Sequence, residues 1–193
     1  MIVMNVVKPL GMVTFCLALL LLFLCACSPT TSNQTTATHA CTGSSSATGA
    51  TAVEDHFAKA VFHAINEARA SHGLTPLSWC PALANSARHH DLAMKQAGLL
   101  SHQLDGEAEL GDRETQQGVS WTWAGENIGE NSDLSVNGAL ELHQAMMSEQ
   151  PPDDGHRQNI LSGDFKVVGV DVLLDQHHGL LWLTEDFAQL ASA

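Results

Sequence analysis

The chain has 193 residues, 45% of them hydrophobic, and carries 8 Lys and Arg against 21 Asp and Glu for a formal net charge of −13. A surface this acidic argues against binding to nucleic acid and against electrostatic adhesion to anionic lipid. Solubility in a crowded compartment is one reason for such a surface, and the recruitment of cations is the other.

The first 26 residues are predicted to be an export signal. Lys8 is the only charged residue before Glu54, and residues 10–26 are almost entirely apolar. A basic start followed by a short apolar core is the layout of a secretory signal peptide. An uncleaved anchor stays open as an alternative, because the apolar run approaches the roughly 20 residues that span a bilayer.

Residues 24–27 read Leu-Cys-Ala-Cys and match a bacterial lipobox. We therefore expect cleavage before Cys27, acylation of Cys27 with palmitate or a similar chain, and attachment of the protein to a membrane through that lipid. Lipidation of Cys25 is the alternative. The predicted location is the extracytoplasmic side of a bacterial envelope. In a Gram-negative cell, similarity to known lipoproteins makes Ser28 a signal for the outer membrane, facing the periplasm.

Residues 27–52 are predicted to be a tether, and residues 53–193 a single domain. Beyond Cys27 the tether is rich in Ser, Thr, Ala and Gly without charge, so it cannot bury enough apolar surface to offset its ordering entropy. The remaining length suits one domain with a real core. Cys41 and Cys80 could form a disulfide in an oxidising compartment; a buried, unpaired Cys80 is the alternative.

The domain begins with helical patterns and ends with strands. Apolar spacing, Pro81 and the flanking glycines predict helices over residues 54–72, 81–96, 112–117 and 135–148. Two compact β-branched or apolar runs predict antiparallel strands over 167–174 and 180–187, with a third strand near 121–128. Helices followed by an antiparallel sheet define an α+β domain.

Six short phrases occur in a set order along the domain. They are Ala-Ile-Asn-Glu-Ala-Arg from residue 64, Leu-Ala-Asn-Ser-Ala-Arg from 83, Ser-His at 101, Gly-Glu-Asn-Ile from 125, Gly-His-Arg-Gln-Asn-Ile-Leu from 155 and Trp-Leu-Thr-Glu-Asp-Phe from 182. In this order they resemble the CAP superfamily, or SCP domain, in its bacterial form. That superfamily contains cysteine-rich secretory proteins, antigen 5 and pathogenesis-related 1 proteins.

The resemblance implies an α-β-α sandwich with a three-stranded antiparallel sheet between helical layers. It also implies a cleft with two His and two acids that can hold zinc or another divalent cation. The residues that match these four positions are His102, Glu107, Glu126 and His156. Asp105 and Glu109 compete with Glu107 for the first acidic position.

The chemistry of these residue types agrees with the resemblance. Two neutral imidazoles suit Zn²⁺ and leave coordination positions open. The carboxylates could orient the imidazoles or accept a proton from metal-bound water. Structural roles remain open for Glu126, as an acceptor for backbone N–H groups in a turn, and for His156, as part of a helix cap.

Other histidines are expected to have structural roles. We expect His90 and His143 to pack in the interior, His89 to face water, and the His177-His178 pair to fill a hairpin loop. One departure from the family pattern stands beside His156. Residues 146–155 are longer than the Ser-Pro-Gly segment usual in bacterial relatives and contain three acids.

Two functions follow as hypotheses. The first is a non-enzymatic binding module, anchored to the envelope, that presents the His/Glu cleft to a lipid, peptide or glycan. The alternative is a metal-dependent hydrolase, a peptidase or esterase, with Glu107 or Glu126 as its base. No compact catalytic motif such as His-Glu-x-x-His supports the alternative. A purely structural envelope protein is a third interpretation, and the sequence leaves open whether the chain is an enzyme.

Overall fold

A computed structural model describes residues 2–7 and 41–192. The helices are α1 (Ala52–Ser71), α2 (Pro81–Ala97), α3 (Leu110–Gln116), α4 (Val136–Met147) and α5 (Gly155–Ile160). The strands are β1 (Ile2–Val7), β2 (Ser78–Trp79), β3 (Trp121–Asn131), β4 (Val167–Asp175) and β5 (Leu180–Leu190). Within this described part of the chain, no helix is both long and apolar enough to cross a membrane.

The helices begin and end where local chemistry requires it. Thr51 and Glu54 form a reciprocal capping box at the start of α1. Pro81 occupies the first turn of α2, where its missing N–H costs nothing, and Gly98 ends α2 in the left-handed conformation with φ 61°. Each predicted helix is present, with ends that differ by at most two residues from the prediction.

The sheet has the strand order β1-β3-β5-β4-β2. Strands β3, β5 and β4 are antiparallel neighbours, as predicted, and the hairpin between β4 and β5 lies where the sequence places it. The prediction of a wholly antiparallel, three-stranded sheet was wrong. Within residues 41–192 the sheet has four strands and is mixed, because β2 pairs in parallel with β4 through Val167 and Val168.

Helices cover both faces of the sheet, so the sandwich architecture is as predicted. On one face α1, α4 and α5 pack over a core that includes Phe57, Ile65 and Phe187. On the other face α2 lies across β4 and β5, and α3 contacts β3. The alternation of side chains along β3 therefore directs Glu126 and Ile128 toward α2 and α3, whereas Asn127 faces α5.

Residues 41–51 pack against the domain and are not a flexible tether. Cys41 and Cys80 form a disulfide with Cα atoms 4.1 Å apart. Ala47 is buried, and the backbone carbonyl oxygen of Gly49 accepts a hydrogen bond from Arg88. The predicted lipidation site at Cys27 and most of the predicted signal segment lie outside the described residues. Residues 2–7 form β1, which pairs antiparallel with β3 between Ala124 and Gly129.

Candidate functional site

Glu126 is the centre of a buried cluster of charged side chains. Its Oε2 atom accepts a hydrogen bond from Arg113, and its Oε1 atom accepts one from His102 Nδ1 at 2.6 Å. Burial raises the pKa of this carboxyl, but Arg113 and the neighbouring histidines outweigh burial and bring the pKa to about 2. Glu126 therefore stays ionised at neutral pH, with both oxygen atoms engaged.

His90 links Glu126 to Glu107, the residue predicted for the first acidic position. His90 Nδ1 lies 2.8 Å from Glu107 Oε1, and His90 Nε2 lies 3.8 Å from Glu126 Oε1. The His90 side chain is completely buried. Arg113 Nε is 3.8 Å from Glu107 Oε1, so one guanidinium serves both acids. Glu107, Glu126, His90, His102 and Arg113 thus form one continuous network.

Two further acids lie behind this network. Burial and the negative charge of Glu126 raise the pKa of Asp186 to about 7. Burial and the charge of Asp186 likewise raise the pKa of Glu114 well above its ordinary value. Asp186 lies close to the charge of Glu126 because the strand register places Asp186 of β5 directly opposite Glu126 of β3. Arg113, with Nη2 3.9 Å from Asp186 Oδ1, cannot compensate every carboxyl at once.

His156, in the first turn of α5, belongs to a second hydrogen-bonded group. Its Nδ1 is hydrogen-bonded to Glu149 Oε1, and its backbone N–H donates to Glu149 Oε2 at 3.0 Å. Asn127 and Asn159 join the two groups. Asn127 Nδ2 donates to the backbone oxygen of His156, and Asn159 Nδ2 donates to the backbone oxygen of Glu126, both at 3.3 Å.

Three imidazoles in these groups share one feature. His90, His102 and His156 each have Nδ1 hydrogen-bonded to a carboxylate and a buried Nε2 that lacks a hydrogen-bond partner. A carboxylate only accepts hydrogen bonds, so each Nδ1 carries the proton, and a neutral ring then has its lone pair on Nε2. Metal-binding histidines are commonly held in this way.

The structure brings together three of the four predicted site residues, namely His102, Glu107 and Glu126. The side chain of His156 has no hydrogen bond or ion pair with any of those three; its partner is Glu149. Among the described residues, no three His, Cys, Asp or Glu side chains form a group that could hold a metal ion. In this geometry Glu107 and Glu126 hydrogen-bond to imidazole rings. Their role as direct ligands of a metal ion stays a prediction.

A pocket of about 630 Å³ adjoins the network. It lies between α2, α3 and the loop that connects them, and Glu107 and Arg113 form part of its wall. Its apolar lining includes Ala93, Leu99 and Leu104. Leu99 is 55% exposed, so apolar surface is available at the mouth of the pocket.

Comparison with known proteins agrees with the fold and with the order of the six phrases. Residues 62–187 match the model of the CAP family, described as the cysteine-rich secretory protein family. The chain belongs to the CAP family. The resemblance inferred from the sequence is thereby confirmed.

Bacterial proteins are among the relatives of this CAP domain. It is 32% identical over 114 residues to the uncharacterized membrane protein YlbC, and 30% identical over 131 residues to the uncharacterized protein YkwD, both of Bacillus subtilis. These matches cover 59% and 68% of this chain but only 31% and 46% of the relatives, so the chain spans less than half of their length.

A solved structure has the same fold. It is an extracellular protein containing a SCP domain from Bacillus anthracis, with a TM-score of 0.60 and 29% sequence identity. The match covers 70% of this chain and 41% of that protein.

Sequence reasoning missed three residues of the candidate CAP site: His90, Arg113 and Glu149. His90 was assigned to packing because it falls on the inner face of α2, and it is indeed buried, but it contacts two acids there. Arg113 had no motif to distinguish it. Glu149 had a signal, since it lies in the acid-rich segment that departs from the family pattern. His89, expected at the surface, is exposed, and His143, expected in the interior, is buried.

Proposed function

We propose that this CAP domain is a non-enzymatic binding module of the bacterial cell envelope, held at the membrane by a lipid on Cys27. Its cleft binds a divalent metal ion, with zinc as the first candidate, and presents this site to a lipid, peptide or glycan. The sequence of residues 24–27 supports the anchor. The description of the Bacillus anthracis relative as extracellular supports the location.

The observation that carries the metal proposal is the state of His102 and His156. Each has its Nδ1 on a carboxylate and a buried Nε2 without a partner. A buried nitrogen that lacks a partner is costly, and a metal ion would satisfy it. When bound, the ion would supply a Lewis acid with coordination positions open to an external ligand.

Glu126 is not suited to act as the general base of a hydrolase. A general base needs an oxygen atom free to accept a proton from water. Both oxygen atoms of Glu126 are already engaged, one by Arg113 and one by His102. The pocket beside Glu107 supports a binding function, because it combines an apolar wall with polar groups, as small-molecule sites commonly do.

The proposal is tested by metal content and calorimetry on protein made from the full chain and purified in detergent. We expect near-stoichiometric zinc in the wild type and its loss in the double variant His102→Ala, His156→Ala. The double variant His56→Ala, His63→Ala, which removes two exposed histidines of α1, is the matched control and should keep its zinc.

Two results would contradict the proposal. A site variant that still binds one equivalent would show that the zinc is bound elsewhere. A wild type that is folded and binds no metal would remove the metal ion from the function. Screening the same proteins against lipids, peptides and glycans by thermal shift then identifies the ligand class.

A further inference from the structure

Glu149 connects α4 and α5, which are separate in the sequence. It directly follows Ser148, the residue that ends α4, yet its carboxylate lies against the first turn of α5. One oxygen atom accepts the backbone N–H groups of His156 at 3.0 Å and Arg157 at 3.4 Å. The other is hydrogen-bonded to the imidazole of His156. Asp154, the residue at the cap position of α5, forms no side-chain cap of its own.

These contacts fix the orientation and the proton of the His156 ring. Because the carboxylate accepts and cannot donate, the ring proton resides on Nδ1 and the lone pair is on Nε2. The ring is nearly buried, with 5% of the side chain exposed, and its Nε2 has no partner. Glu149 therefore does for His156 what Glu126 does for His102.

We propose that Glu149 is the positioning residue for His156, holding the ring in the form that binds an external ligand through Nε2. The inference rests on the proposed function for the identity of the ligand, a divalent metal ion. The orientation and the tautomer of the His156 ring do not depend on the proposed function. A carboxylate that orients a metal-binding histidine typically contributes a factor of about 10 to 100 in metal affinity.

The informative variant is Glu149→Gln. Its amide oxygen can still accept the N–H groups at the start of α5, so the helix cap is retained. Its NH₂ group cannot accept a hydrogen bond from Nδ1–H and can only donate one to Nδ1. The His156 ring must then accept at Nδ1 and carry its proton on Nε2, or lose the hydrogen bond. Either change alters the positioning of the His156 ring while the cap of α5 is retained, so the variant distinguishes the two roles of Glu149.

Two readouts follow, on full-length protein in detergent. Selective ¹⁵N labelling of histidine, with His156→Ala to assign the signal, reports which ring nitrogen carries the proton in metal-free protein. We expect Nδ1–H in the wild type and its loss in Glu149→Gln. Calorimetry with zinc should show an affinity lower by about 10- to 100-fold in this variant. Circular dichroism should show an unchanged fold.

Asp153→Asn is the matched control, because it removes one charge from an exposed side chain of the same segment. It should leave the ring signal and the zinc affinity unchanged. A Glu149→Gln protein that keeps Nδ1–H and wild-type affinity would overturn the inference. If the wild type binds no zinc, the proposed metal function fails, while the ring signal in metal-free protein still decides whether Glu149 positions His156.

Discussion

Asp186 should make the domain less stable as the pH rises toward neutrality. The side chain is completely buried, and it faces Glu126 across neighbouring strands. Burial and the charge of Glu126 raise its pKa from an ordinary value of 3.8 to about 7, against the opposing effect of Arg113. The folded protein thus retains a proton on Asp186 that the unfolded chain has already released.

The sign and size of the effect follow from that proton. Between about pH 4 and pH 7 the folded state binds one more proton than the unfolded state. The free energy of unfolding therefore falls by about 1.4 kcal/mol for each pH unit in this window, and the loss levels off above the folded pKa. Summed over the window, Asp186 destabilises the neutral protein by at most about 4 kcal/mol.

The variant Asp186→Asn keeps the shape of the side chain and removes the titration. We expect it to be more stable than the wild type at pH 7, with the difference shrinking toward pH 4. Urea unfolding followed by circular dichroism at half-unit steps from pH 4 to pH 7.5 measures this difference. Asp164→Asn, at an exposed position, is the control. Parallel stability curves for Asp186→Asn and the wild type would refute the reasoning.

Two further predictions concern the frame that holds the site. Removing the Cys41–Cys80 disulfide, which spans 39 residues, should lower the free energy of unfolding by about 4 kcal/mol through loop-closure entropy; equal urea midpoints with and without reductant would contradict this. Gly169→Ala would place a Cβ 2.0 Å from the backbone nitrogen of Ala84, so α2 must separate from β4. We expect a loss of about 3 kcal/mol, whereas Gly163→Ala, with nothing within 4 Å, should change the unfolding midpoint little; equal losses would contradict the packing argument.

The helices and the hairpin could be predicted because their signals are local. The apolar spacing of α1, the proline that opens α2 and the turn between β4 and β5 all lie within one element and its flanks. Strand β2 gave no such signal. It has only two residues, and it exists because the backbone N–H groups of Ser78 and Cys80 find acceptors on Lys166 and Val168.

The ordered start of the domain was misjudged for a different reason. Residues 41–51 have the composition of a tether, and composition predicts flexibility only when nothing else restrains the chain. Here the disulfide fixes one end and the capping box of Thr51 and Glu54 fixes the other. The capping box was visible in the sequence, since Thr and Glu three residues apart precede the apolar face of α1.

The site shows most clearly what local patterns leave out. The phrases around His102 and Glu126 predicted that these residues would meet, and they do. The positive charge that offsets the cost of burying Glu126 comes from Arg113. This residue lies in α3, a short helix for which the sequence gives only weak signals. Arg113 compensates the buried carboxylate of Glu126 directly. The same carboxylate holds His102 at Nδ1, so a neutral His102 ring has its lone pair on Nε2, the form that a metal ion requires. The metal binding that we propose for this site would therefore depend on an arginine that need not touch the ion.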